Sequence, residues 1–220
     1  MKNFIMKMVL DKFHFLKVPE LDLPPQAIQE FDEMYEKHIS VEKCHLIPYK
    51  SEYPKYLFLH YLIENKNVLF HGSNDSTIRK LEPKVQTLFN GKPVRAVFAA
   101  SDGVWSMFFA VMNKKGYEGS VRNLCLTLPT KKGIKRYYYF SVNKNQEDNC
   151  WIDGTIYILP KDRFSQGGIK DEWICESTIE PISKLSVTQD DFPFLDKIRK
   201  HKETESIVKT IARALLIKPS

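Results

Sequence analysis

Three short segments carry side chains able to hold a flat, polar ligand and act on it. The first is His71-Gly72-Ser73, which follows the apolar run Val68-Leu69-Phe70 and precedes the turn residues Asn74-Asp75. A glycine there lets a ligand come close to the main chain, whose N–H and C=O match a planar carboxamide. The same residues also suit a histidine at a strand-to-turn junction followed by a turn glycine. The second segment is Ala96-Val97-Phe98-Ala99-Ala100, which leads through Ser101-Asp102 towards Trp105, Ser106 and Phe109. Small residues after one aromatic, followed by a second aromatic on a helix, make a slot about one flat ring wide. Aromatics at helical spacing also mark a core, and Trp105 and Phe108 are read that way. The third segment is Asp171-Glu172-Trp173-Ile174-Cys175-Glu176. Carboxylates at a strand start are often its solvent face, and Glu172 and Glu176 share parity with Ile174, so alternation alone does not say which one points inward.

These segments need strands and a helix to hold them. Short β-branched and aromatic runs bounded by Gly, Pro, Asn and Asp predict strands at Val68–Phe70, Val94–Ala99, Tyr137–Val142, Thr155–Leu159 and Leu185–Val187. A helix is expected over Asp102–Met112, with apolar residues on adjoining faces. Upstream, Pro24-Pro25 opens a helix carrying Ile28, Phe31, Met34, Tyr35 and His38, and Pro54 precedes a second helix over Tyr56–Glu64. His60 on that second helix reads as a packed or capping side chain, because no partner stands at metal-ligand spacing. A closing helix is expected from Leu195 to about Leu216, with Ile198, Ile207, Ile211 and Leu215 as its stripe. The fold class is therefore α+β, with helices first, then a strand-rich body with one inserted helix, then a closing helix.

A chain of 220 residues, 43% hydrophobic, is enough for one sizeable core and an accessory segment. The division expected is an N-terminal helical segment, 1–66, packed on a domain spanning 67–220. The net charge of +6 permits nucleic-acid binding without indicating it. The clusters Lys131-Lys132 to Lys135-Arg136 and Lys197 to Lys202 read as solvated faces. Cys44, Cys125, Cys150 and Cys175 form no C-x-x-C pair, so neither zinc nor a disulfide framework is suggested, and a reducing cytoplasm fits best. No signal-peptide pattern and no apolar run of membrane-spanning length is evident, so no membrane association is expected.

Taken together, the three segments resemble the His-Tyr-Glu class of ADP-ribosyltransferases, the diphtheria-toxin and poly(ADP-ribose) polymerase type. His71-Gly72-Ser73 looks like that family's His-Gly-Ser strand. Setting Phe98 at the family's tyrosine position places Ser106 at its serine and Phe109 at its second aromatic, without a gap. Asp171-Glu172-Trp173-Ile174 is similar to its Asn-Glu-Tyr-hydrophobic motif. The resemblance covers roughly Val68 to Val187 and departs from the pattern at Phe98, which keeps the ring but lacks the phenol hydroxyl.

The resemblance implies a split β-sheet core and a reaction on NAD, consumed as substrate, with no metal. His71 would hydrogen-bond a ribose hydroxyl, Gly72 and Ser106 would hold the nicotinamide carboxamide, and Phe98 and Phe109 would sandwich the ring, with Ser73 completing the cofactor-binding strand. Glu172 would accept a hydrogen bond from the nicotinamide ribose. Nicotinamide leaves as a neutral group and strands positive charge on the sugar, so a fixed anion stabilises the transition state more than the ground state. The activity implied is mono-ADP-ribosyl transfer to a macromolecular acceptor, protein or nucleic acid, that the sequence does not name. NAD hydrolysis, RNA 2'-phosphate transfer, and a non-catalytic module that binds NAD, ADP-ribose or a protein are the alternatives.

Overall fold

A computed structural model describes residues 2–41, 44–143, 149–204, 206 and 209. In chain order its elements are α1 (Lys2–Lys12), β1 (Leu16–Val18), α2 (Pro25–His38), β2 (His45–Leu46), α3 (Lys55–Asn65), β3 (Val68–Ser73), β4 (Lys84–Thr87) and β5 (Pro93–Ala100). They continue with α4 (Gly103–Val111), β6 (Val121–Thr130), β7 (Gly133–Val142), β8 (Gly154–Pro160), β9 (Ser165–Gln166), β10 (Glu172–Cys175), β11 (Ser183–Val187) and β12 (Arg199–Lys200). The class is α+β, with two mixed sheets. No helix among the described residues is long and apolar enough to cross a membrane.

The chain falls into two compact units. Unit 1 comprises 1–21, 113–150 and 194–220, and unit 2 comprises 22–112 and 151–193. The stretches 1–66 and 67–220 each contribute to both.

Unit 1 is built on the hairpin β6–β7, paired from Val121↔Val142 to Thr130↔Gly133. Since β6 runs along all of β7, β1 (antiparallel) and β12 (parallel) share β7's other edge. Every residue from Arg136 to Val142 is buried, which explains the unalternating Tyr-Tyr-Tyr-Phe run: the strand has no solvent face. Tyr138 stacks on Phe140 at 5.9 Å and meets Phe194 at 5.7 Å. Two expectations are corrected here. Lys135 and Arg136 are not a solvated face, because Arg136 is fully buried and the Lys135 ammonium lies 2.6 Å from the Asp11 carboxylate. The closing helix does not begin at Leu195 either. Leu195–Lys197 is a single 3-10 turn, and Arg199–Lys200 is a strand that sends Ile198 into the core. Glu205, residues 207–208 and residues 210–220 of that expectation lie outside the described residues.

Unit 2 holds the three motif segments. Its larger sheet runs β2-β11-β8-β3-β5-β10-β9, with β4 paired to β5. On α2 and α3, buried Phe31 sits among Tyr53, Phe58 and Tyr61 at 5.2 to 5.9 Å. Helix α4 is apolar on all sides and buried everywhere except Phe109, as such a helix must be. Its first turn is closed by Asp102, whose carboxylate accepts the Trp105 N–H at 2.8 Å.

β5 is the central strand of the motif region. Val97 and Ala99 enter a core with Leu69, Leu159 and Cys175, while Ala96 and Phe98 pack with Leu88 and Ile174 on the other face. β5 also bends. Extended, its ends would stand about 23 Å apart. Yet Phe89, in the turn joining β4 to β5, bonds to Glu172, which pairs with Ala100 at the far end of the strand. The β4–β5 tip therefore curls back over the face that carries Phe98 and Ile174.

Candidate functional site

Strand pairing brings the three segments to one place. β3 meets β5 at a single position, Phe70↔Ala100, whereas it pairs with β8 along its whole length. On β5's opposite edge, β10 pairs from Glu172↔Ala100 to Cys175↔Val97. Ala100 thus has Phe70 on one side and Glu172 on the other. Beyond it β3 and β5 part, and the His71 ring spans the gap, with Nδ1 2.7 Å from the Phe98 carbonyl oxygen. A carbonyl oxygen only accepts, so Nδ1 carries the proton, and in the neutral ring Nε2 is the acceptor nitrogen.

Gly72 has a packing role that its sequence position does not announce. A Cβ there would lie 2.1 Å from the Ser106 carbonyl oxygen and 2.7 Å from the Ala110 nitrogen. Glycine at 72 is what allows the main chain of α4 to rest on β3. Asn74 secures the far end of that helix, its side-chain amide donating to the Ala110 carbonyl at 2.6 Å. Ser73 is half-buried, and its hydroxyl accepts the Asp75 N–H at 3.1 Å. The Ser106 hydroxyl is buried and donates to the Asp102 carbonyl at 2.8 Å. Phe98 is half-buried against Leu88, Ala96 and Ile174, and the half-buried Phe109 ring lies against Trp105 and Phe108. The two rings assigned to one sandwich therefore belong to separate packing groups.

Glu172 points inward. It is 6% exposed, and its carboxylate accepts the Phe89 N–H at 3.0 and 3.1 Å and the Gly168 N–H at 2.9 Å. The anion is held by main-chain donors from two loops, a fixed geometry with little freedom to reorient. By alternation, Glu172 and Phe98 leave the sheet on one face and His71 on the other. The histidine and the carboxylate therefore sit on the two strands that flank β5, without facing each other. Glu176 is exposed.

Several polar neighbours escaped the sequence reading. Asp171 is buried. It receives the Ser101 hydroxyl at 3.0 Å on its carboxylate and the Ser101 N–H at 3.0 Å on its carbonyl, which clamps β10 to the end of β5. Asp102, besides capping α4, stands 3.6 Å from His60 Nε2 with both side chains fully buried. His60 is thus a packed side chain, as expected, with an anion beside it. The only available signal was the order Ser101-Asp102 before an apolar helix, a capping pattern.

A cavity of about 1200 Å³ opens elsewhere in unit 2, lined by residues between Ser76 and Arg79, Pro160 and Arg163, and Thr178 and Lys184. None of the seven residues singled out by motif borders it, and the motif geometry, not cavity size, is what bears on NAD chemistry. Comparisons with protein-family models, with curated proteins and with solved structures return no match to this chain.

Proposed function

We propose that unit 2 is an ADP-ribosyltransferase-like domain that binds NAD where β3 and β5 part and cleaves its nicotinamide–ribose bond, passing ADP-ribose to a macromolecular acceptor. The observation that carries this reading is the double pairing of Ala100. It sets Phe70 and Glu172 two strand spacings apart, about 10 Å between backbones, with His71 adjoining. Three segments far apart in sequence lie on the adjoining strands β3, β5 and β10 and on the helix α4 that follows β5.

In this reading His71 Nε2, held by the Nδ1 bond to the Phe98 carbonyl, accepts a ribose hydroxyl. Gly72 offers main chain to the carboxamide. Phe98 and Phe109 supply aromatic surface. Glu172, fixed by Phe89 and Gly168, provides the negative charge that offsets the oxocarbenium-like sugar as the carbon–nitrogen bond breaks and nicotinamide leaves with the electron pair. The acceptor nucleophile then bonds to the sugar carbon and releases its proton.

A second reading is a module that binds NAD or ADP-ribose without turnover. Two observations favour it: Phe98 lacks a hydroxyl, and the Ser106 proton is committed to Asp102. Incubating the protein with NAD separates the two. Nicotinamide release that His71→Ala abolishes supports the enzyme, and saturable NAD binding without release supports the module.

A further inference from the structure

We infer that the cavity between Ser76–Arg79, Asp162–Arg163 and Thr178–Lys184 is a binding site for a phosphate ester, formed by side chains that the NAD reading does not use. Its three walls are fixed. Segment 75–81 is pinned by the Tyr157 hydroxyl, which donates to the Asp75 carbonyl at 2.7 Å and accepts the Ile78 N–H at 3.1 Å. Further ties come from Lys184 Nζ to the Ser76 carbonyl at 2.7 Å and from reciprocal main-chain bonds between Leu81 and Ile179. The turn carrying Asp162 and Arg163 is anchored by the Lys161 N–H to the Asn67 carbonyl and by buried Phe164. The third wall is joined to β8 through the Ile182 N–H and the Ile158 carbonyl.

The two arginines on these walls are not similarly tied. Arg79 and Arg163 are exposed and make no ion pair with a described residue. Of the two acids on the lining, Glu180 is paired with Lys80 at 3.1 Å, which leaves Asp162 against Arg79, Arg163 and Lys184. The guanidinium forks of Arg79 and Arg163 belong to residues that line one concave space together with Lys184, Ser76, Thr178 and Thr77, whose hydroxyl donates to the Asp75 carboxylate at 2.6 Å. Planar forks of this kind pair with phosphate oxygens two bonds at a time. The volume exceeds what a lone oxyanion fills and reaches the range of nucleotide-sized ligands.

Calorimetric titration of the full chain tests this, using inorganic pyrophosphate, ADP-ribose and NAD as probes. Pyrophosphate should bind, more weakly as salt rises. Arg79→Gln and Arg163→Gln should each weaken it about tenfold or more, and Asp162→Asn should tighten it. Thermal midpoints of all three variants should stay close to that of the parent, since the side chains are exposed. Pyrophosphate that NAD displaces would identify the phosphate source as the dinucleotide itself, whereas binding that persists at saturating NAD would identify a second, phosphate-bearing molecule. No pyrophosphate binding at millimolar concentration, or binding indifferent to both arginine changes, would overturn the site. Nicotinamide is absent from the pyrophosphate titration, so failure of the NAD reading would leave its result unchanged.

Discussion

Two regions of unit 2 treat their polar groups in opposite ways. Where β10 meets the end of β5, the polar groups are engaged by the protein: Glu172 by Phe89 and Gly168, Asp171 by Ser101, Asp102 by the first turn of α4 with His60 beside it, and Ser106 by Asp102. Around the cavity the backbone is equally well tied, but Arg79 and Arg163 are exposed and have no ion partner among the described residues. The first region is preorganised and costly to disturb, because each removed partner leaves a buried group unsatisfied. The second can be altered at little cost to the fold and has charge available for a ligand.

The sharpest break of that contrast is Gly72→Ala. The new methyl would meet main-chain atoms of α4 at 2.1 and 2.7 Å, and neither can move without shifting the helix. A loss of about 3 kcal/mol or more is expected. Urea unfolding measures it, and a cost below about 1 kcal/mol would mean that α4 does not rest on β3.

Asp102→Ala should come next. It removes both the cap on α4 and the anion 3.6 Å from His60 in a fully buried setting, for a combined cost of about 2 to 4 kcal/mol. Asp102→Asn, which keeps a capping oxygen, should recover part of the loss, and equal effects from the two changes would assign it all to charge.

Glu172→Gln and Arg79→Gln compare the two regions directly. Glutamine offers one carbonyl oxygen where Glu172 uses both of its oxygens on two main-chain donors, so a loss of about 1 to 2 kcal/mol is expected. Arg79→Gln should stay within about 0.5 kcal/mol of the parent. Parallel thermal melts decide it, and equal shifts would remove the distinction between engaged and available groups.

A small, pH-dependent effect is expected at a half-exposed ion pair. Lys66 Nζ lies 2.8 Å from Asp32. The bonds from Lys66 and from Tyr61 outweigh burial and hold the Asp32 carboxyl below its usual 3.8. Burial, then the Asp32 contact, pushes Tyr61 up to about 12. A carboxyl lowered on folding adds stability above its unfolded value, and that stability is lost as pH falls through the folded value. Asp32→Asn should therefore cost less than about 1 kcal/mol at neutral pH and nothing once acid has protonated the aspartate in both states. Melting midpoints that stay apart in strong acid would show a packing effect instead.

The strands at Val68, Val94, Tyr137, Thr155 and Leu185 and the helices after Pro24, Pro54 and Asp102 were legible because local patterning and punctuation agree with burial there. β6 was missed: Val-Arg-Asn-Leu-Cys-Leu-Thr-Leu mixes both faces, and only pairing with β7 makes it a ten-residue strand. The closing helix was misplaced because Ile198 fits a helical stripe as well as it fits a short strand, and parallel pairing with β7 decides between them. At the candidate site, residue types and order were legible. The bend in β5, which brings Phe89 to Glu172, was not, because it depends on contacts between distant segments. That bend changes the meaning of the carboxylate: Glu172 supports two loops as well as offering charge, so its replacement is expected to cost stability along with turnover.

The most direct test of the proposed reaction is nicotinamide release from saturating NAD, followed over time for the parent, Glu172→Gln and Glu176→Gln at a temperature well below each melting midpoint. Expected are release by the parent, a fall of roughly 10² or more for Glu172→Gln, and little change for exposed Glu176→Gln. A folded Glu172→Gln that turns over at the parental rate, or a parent that binds NAD without releasing nicotinamide, would contradict it.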